Sequence, residues 1–275
     1  MDILSWNIQA AKGVDDVVSV ERITHDIKQL GDADVICLQE VLVTTDNDQV
    51  EQLCQYFPQH RPVFGAAIDR LDTVGRLQFG NLILCRLPLL QIVLHKLPQP
   101  AEPLVKHMPR QAIEIIVDYE QTPLRVVTTH LDYFSAQQRS AQIAYLAAHH
   151  EECVARHQQP SPDGGDAQFK SLPETSMSIY CGDFNMPVDS QDYHAMQASP
   201  NTETDHTLID CWTKLNGSRP HSPTCGIYDH KQWQEGPHCR DFFFASRQIA
   251  PRVTDIEVDT HTAASDHQPL KITLK

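Results

Sequence analysis

DVICLQEV, residues 34–41, places Val35, Ile36, Cys37 and Leu38 in an unbroken apolar run before Gln39, Glu40 and Val41. Successive side chains of a strand point to opposite faces, so a run without polar alternation has both faces covered. That pattern belongs to a sheet lying between other layers, and it sets the chain among layered α/β folds. The same run ends on a carboxylate, Glu40, and such folds bind ligands beyond the carboxyl ends of their strands.

Before this run, residues 2–8 read as a strand and residues 17–30 as an amphipathic helix. Val20, Ile23, Ile27 and Leu30 recur at three-to-four spacing, and Gly31 is placed to cap the C-terminus. After it come a short helix near 50–57 and five strand-like runs: VFGAAI, GNLILC, LLQIVLHKL, QAIEIIVDY and LRVVTTHL. Several follow one another with no helix between, so that part of the sheet is expected to be antiparallel. Ser135 followed by Gln138 reads as a capping box, opening a helix with a stripe of Ile143, Leu146, Ala147 and Val154 that ends near His157. Residues 157–175, rich in Pro, Gly, Ser and charge, read as a mobile loop and not as a domain boundary, because strands resume directly afterwards. A helix from Ser190, a strand or turn over 208–212, an irregular segment over 214–240 and strands near 241–246, 251–259 and 269–274 complete the chain. All 275 residues are read as one domain.

With 41% apolar residues the chain can bury a substantial core. Twenty-two basic against 36 acidic side chains give a net charge of −14, which repels polyanions at long range and disfavours extended binding to duplex DNA. The eight cysteines form no CxxC pair, and Cys37, Cys85 and Cys181 lie in strand-like runs, as reduced buried thiols do. No apolar run approaches the roughly 18 residues of a membrane span, and the N-terminus lacks the pattern of a signal peptide. The expectation is a cytoplasmic protein with no membrane contact and no obligate protein partner.

Polar groups mark the carboxyl ends of five strands: Asn7 in SWNIQ, Glu40 in CLQEV, His130 in TTHLD, Asp183 and Asn185 in GDFN, and Asp266-His267 in ASDHQPL. Asp241 in RDFFFAS begins a sixth. Each has an ordinary explanation alone, as a turn residue, a loop charge or a satisfied core histidine. Together they read as one site built at a sheet edge.

These motifs in this order are WNI, LQE, GNLILCR-P, a lone Arg110 before a strand, TTHLD with R-x-x-Q, GDFN, RDFFFAS and SDHQPL. They resemble the endonuclease/exonuclease/phosphatase superfamily, the fold shared by deoxyribonuclease I-like nucleases, abasic-site endonucleases, inositol polyphosphate 5-phosphatases, neutral sphingomyelinases and deadenylases. The resemblance runs from residue 3 to residue 272. It implies a four-layer α/β/β/α sandwich, two mixed β-sheets face to face with helices outside, and a divalent-cation phosphoesterase site at one edge. It implies Glu40 as the principal metal carboxylate, with Asn7 beside it and Asp266 in support. A hard ion such as Mg²⁺ (or Mn²⁺) needs only a few protein oxygens. Asp183 would position or deprotonate the attacking water, or protonate the leaving oxygen. Asn185 would donate its amide to a phosphate oxygen, strand alternation carrying both residues to one face and Phe184 to the other. His267, its imidazole held by Asp241, would face the scissile phosphate, with His130 as a second histidine and Arg110 as a phosphate-binding arginine. Arg139 and Gln142 read as links between layers.

Two features depart from the family pattern. Gln9 stands where many abasic-site endonucleases carry an acid. The 214–240 segment carries Cys225, His230, His238 and Cys239 at a spacing that fits no common zinc finger; it reads instead as a specificity loop, with Thr224, Tyr228 and Trp233 as substrate contacts. The implied activity is hydrolysis of a phosphodiester or phosphomonoester by in-line attack of water. The charge favours a small phosphodiester, a phosphorylated metabolite or a short single strand. A nuclease acting on DNA or RNA is the alternative enzyme. A non-catalytic binding protein retaining the fold is the alternative of another class, opposed by the intact set Glu40, Asp183, Asn185, Asp241, Asp266 and His267.

Overall fold

The computed structural model describes residues 1–198 and 207–275. The 34–41 run becomes β2 (Val35–Thr44), which pairs in parallel with β1 (Asp2–Asn7). Parallel neighbours need a crossover, and α1 (Val20–Gln29) supplies it. This helix starts three residues later than its periodicity suggests, because Ser19 accepts the Arg22 N–H as N-cap and leaves Val17 and Val18 exposed outside the helix.

After α2 (Gln49–Tyr56), the strands β3 (Arg61–Asp72) and β4 (Gly75–Cys85) form an antiparallel hairpin on β2. The chain then crosses to a second sheet through β5 (Leu89–Lys96), β6 (Gln111–Tyr119) and β7 (Thr122–His130), each antiparallel to the last. The expected antiparallel runs are therefore present, divided between two sheets. A second helical crossover, α3 (Ala136–Gln158), brings β8 (Ser178–Asp183) parallel to β7. Ser135 caps α3 by accepting the Gln138 N–H, but the Gln138 amide donates to Pro100 O instead of returning to Ser135, so the capping box is half made. Residues 157–175 hold one 3-10 turn, Ala167–Phe169.

The chain continues through α4 (Gln191–Gln197), β9 (Leu208–Asp210), α5 (Cys211–Asn216), β10 (Asp241–Ser246), β11 (Val253–Val258) and β12 (Leu270–Leu274). The sequence pattern did not reveal α5; it exists because the Asp210 carboxylate accepts the Trp212 and Thr213 N–H groups. The sheets are β11-β12-β1-β2-β4-β3 and β5-β6-β7-β8-β10-β9, both mixed.

The alternation in the opening run explains the layering. Val35 and Cys37 enter the core between the sheets, beside Ile113, Ile115, Ile179 and Phe243. Ile36 and Leu38 point the other way, under Ile23 and Ile27 of α1. A third cluster, including Ile143, Leu146, Tyr180 and Phe244, seats α3 on the outside of the second sheet. The result is the α/β/β/α sandwich. Side chains fully buried on either face contribute about 1.5–3 kcal/mol each. All eight cysteines are free, seven of them buried. No helix among the described residues is long and apolar enough to cross a membrane.

Candidate active site

Asn7, His130 and Asp183 end β1, β7 and β8, and Asp241, the first residue of β10, pairs with Asp183 across the antiparallel ladder. The sandwich thus delivers these groups to one edge. Glu40 arrives by a different device. The β2–β4 register slips between Leu38 and Val41, and Glu40 takes φ +59°. Such a bulge re-aims a side chain, and positive φ in a non-glycine residue is a strained state that neighbours must hold. Gly182, at φ +133°, lies so close to Thr129 O that a Cβ would collide with backbone, which fixes glycine before Asp183.

Asn7 joins the carboxylates. Its Nδ2 donates to Glu40 Oε1 at 2.9 Å and to Asp183 Oδ2 at 3.0 Å, while its Oδ1 accepts the Gln9 N–H at 3.1 Å. Asn7 thus braces the two acids, and the second lone pair of its Oδ1 stays available to a cation. Asn185 differs from expectation. Phe184 is buried opposite, but Asn185 sits at φ +50°, so a turn and not strand alternation sets its direction. Its N–H donates to Asp183 Oδ1 at 2.9 Å and its amide to Leu131 O at 3.0 Å, leaving one amide hydrogen for a ligand.

His267 Nδ1 lies 2.8 Å from Asp241 Oδ2, an oxygen that also accepts the Thr224 hydroxyl at 2.6 Å. Burial opposes protonation of this ring, but Asp241, Asp183 and Asp266 outweigh it and push its pKa well above the usual histidine value. His130 is driven well below that value, first by burial and then by Arg110 and His267. One histidine is therefore cationic and the other neutral. Both turn Nε2 toward Asp183 Oδ2, at 3.7 Å and 3.5 Å respectively.

The acids are raised. Burial pushes Asp183 up to about 6, with Asp241 adding and His267 opposing. Burial, reinforced by Asp266 and Asp183 against the Asn7 hydrogen bond, takes Glu40 to about 7. Asp266 is raised by burial too. Three carboxylates thus face one region with less positive charge than they need. A divalent cation fits that deficit, and Glu40 and Asp266 offer the hard oxygens it takes. Asp183, Asp241 and His267 also form a tight group, their ligand atoms within 4.8 Å of one another, which the ion pairing itself explains.

Glu40, Arg110, His130, Asp183, Asn185, Asp266 and His267 all line one open cavity of about 540 Å³; Asn7 and Asp241 stand behind it. Arg110 is buried, 3.6 Å from Asp132, and its Nε and Nη1 have no hydrogen-bond partner. An arginine left so is a ready anion site. The remaining walls come from Gln9, Phe79, Lys106, Tyr133, Phe134 and Trp233, among others. Trp233 packs edge-on against His267 at 5.7 Å and against Tyr133 at 5.6 Å, and Lys106 Nζ lies 4.9 Å over the Phe134 ring.

Of the three contacts expected in the 214–240 loop, only Trp233 reaches the cavity. Thr224 is spent on Asp241, and the Tyr228 hydroxyl donates to Thr260 O away from it. Cys225 pairs with His238 at 3.2 Å without gathering His230 or Cys239 into a ligand set. Arg139 and Gln142 make links, though not between layers as expected: Arg139 joins α3 to Asp192 of the neighbouring α4, and Gln142 Oε1 accepts the Asp132 N–H at the approach to α3. Lys106, Tyr133 and Phe134 escaped the sequence reading. The basic run Lys106-His107-Met108-Pro109-Arg110 was the available signal for Lys106; the two aromatics gave none.

The model of the Endonuclease/Exonuclease/phosphatase family matches residues 4–267. No curated protein sequence matches the chain. Among solved structures, an endonuclease/exonuclease/phosphatase from Beutenbergia cavernae is 22% identical at TM-score 0.68, covering 100% of this chain and 71% of that one. Mannosyl-6-phosphatase of Bacteroides thetaiotaomicron is 17% identical at TM-score 0.65, over 100% and 99%. Truncated Caenorhabditis elegans TDP2 is 14% identical at TM-score 0.62, over 99% and 96%. At these identities the likeness is one of fold.

Proposed function

The chain belongs to the endonuclease/exonuclease/phosphatase family, and on that footing we propose that it is a Mg²⁺- or Mn²⁺-dependent phosphoesterase acting by in-line attack of water. One observation carries the reading: raised carboxylates share a cavity with the buried Arg110, whose Nε and Nη1 lack hydrogen-bond partners and whose one acid neighbour, Asp132, stands 3.6 Å away.

Glu40 and Asp266 would hold the cation, which when bound polarises a phosphate oxygen. Asp183, fixed by Asn7 and the Asn185 N–H, takes the proton of the attacking water, and a carboxyl near 6 suits that work at neutral pH. The charge gathering on the phosphorus oxygens meets the His267 imidazolium, the Arg110 guanidinium and the free amide hydrogen of Asn185. Neutral His130 contributes one N–H. Asp241 keeps His267 protonated and oriented.

The substrate is a small phosphodiester, a phosphorylated metabolite or a short single strand. Net charge −14 supports that range over long duplex. The Tyr133, Phe134 and Trp233 rings favour a second reading, a nuclease for short single strands, since bases stack on such surfaces. The buried free thiols support a reducing, cytoplasmic setting. Purified protein with Mg²⁺, Mn²⁺ or EDTA, offered a synthetic phosphodiester, a phosphomonoester, plasmid, single-stranded DNA and RNA, tests the proposal. Metal-dependent turnover of one small ester, lost in Asp183→Asn, is expected. No turnover of any of them, with clean Mg²⁺ binding, would leave a binding protein.

A further inference from the structure

A second group of metal-capable side chains lies under α3, and none of its members lines the active cavity. His95 stands on the edge strand β5, Glu114 on β6 and His149 on α3. The two imidazoles aim Nε2 at the same oxygen, Glu114 Oε2, from 2.9 Å and 3.0 Å. Their ring centroids are 4.6 Å apart.

The surroundings hold that arrangement. His95 Nδ1 lies 3.0 Å from the Tyr145 hydroxyl and His149 Nδ1 3.0 Å from the Tyr180 hydroxyl, so each ring is fixed from behind with Nε2 inward. Glu114 Oε1 accepts the Arg125 Nε–H at 2.8 Å, which leaves Oε2 to the histidines. Burial works against the charge on Glu114, but His149, His95 and Arg125 outweigh it and keep the group ionised. Imidazoles anchored through the far nitrogen and a carboxylate anchored through its other oxygen are the outer support that metal ligands carry. Cys153, one turn along α3, puts its sulfur 3.4 Å from His149 Nε2. The histidine side chains stay about a tenth exposed, 11% and 10%, which gives an ion a way in.

We propose that His95, Glu114 and His149 form a second cation site, for a zinc-like transition metal, that fastens the edge strand β5 to α3. Two imidazoles and a carboxylate suit zinc and not Mg²⁺, which prefers oxygen donors, so the two sites sort ions by chemistry. On binding, each imidazole proton sits on Nδ1, where a tyrosine oxygen accepts it.

The test uses full-length protein stripped with a chelator, returned to excess Mg²⁺, given Zn²⁺ and desalted, with retained zinc measured per chain. Wild type and Glu40→Gln should retain one equivalent, and His95→Gln and His149→Gln should retain none. Should those variants fail to fold by circular dichroism, Tyr180→Phe, which removes only a supporting hydroxyl, should bind zinc about tenfold more weakly. Wild type retaining no zinc, folded histidine variants retaining a full equivalent, or Tyr180→Phe binding like wild type would each overturn the site and leave the group as a metal-free hydrogen-bond network.

Discussion

The floor and the walls of the active cavity are built by opposite means. The floor, Glu40, Asp183, Asp266 and His267, rests on the bulge of β2, the end of β8 and the approach to β12, tied together by Asn7, Asp241 and the Trp6 indole, which donates to His267 O. The walls, Lys106, Tyr133, Phe134 and Trp233, come from turns and connections whose conformations answer to local contacts. The floor concentrates charge that its surroundings do not neutralise; the walls offer aromatic faces and one cation. Chemistry therefore resides in the floor, and choice of substrate in the walls.

Changing the floor should cost the most. His267→Ala removes the buried cation facing the phosphate and should lower kcat by about 10²–10³-fold, the usual loss for a preorganised charge partner. Single-turnover rates with the fold checked by circular dichroism would show it, and a wild-type rate would break the division. Arg110→Met should fall in the same direction by about 10²-fold, read as kcat/KM. Asp241→Asn acts through His267. With its partner gone the ring loses what raises its pKa, so the alkaline limb of the rate profile should move to lower pH while the acid limb stays.

A smaller effect concerns stability. Glu40 and Asp183 have pKa values raised in the folded chain, so the folded state holds their protons more tightly than the unfolded state does. The metal-free protein should then lose stability as pH climbs from about 4 through about 7, and added Mg²⁺ should restore it. Thermal melts with EDTA or Mg²⁺ across that window check the sign; melting that is flat with pH and blind to Mg²⁺ would contradict it. Smallest are the walls. Lys106→Ala should raise KM by only about two- to fivefold, the worth of an exposed charge, with kcat unchanged. Trp233→Phe should alter the ranking of substrates more than the rate on any one.

The same contrast explains what the sequence made legible. Glu40, His130, Asp183, Asp241, Asp266 and His267 could be read because their motifs follow one another in the order of the family they resemble, although Glu40 sits at a bulge inside β2 and Asp266-His267 precede β12 instead of ending strands. The bridge from Asn7 to Asp183 spans 176 positions and depends on register between sheets, which no local pattern carries. The positive φ at Glu40 was hidden because glutamate does not advertise a turn as glycine would, whereas Asn185, a residue type that tolerates the left-handed region, was read as continuing the strand. Thr224 looked like a substrate contact because its loop precedes Asp241, yet its hydroxyl serves the carboxylate and not the cavity. Tyr133 and Phe134 lie between β7 and α3 without periodicity, so nothing in the chain announced that they would face the site.

The central claim, a cation held by the floor, is tested most directly by hydrolysis of one small phosphodiester over a Mg²⁺ titration, wild type against Glu40→Gln. No turnover in EDTA, recovery with Mg²⁺, and at least about a tenfold rise in the Mg²⁺ needed by the folded Glu40→Gln chain are expected. Turnover that persists in EDTA, or an identical Mg²⁺ requirement in the two proteins, would contradict it.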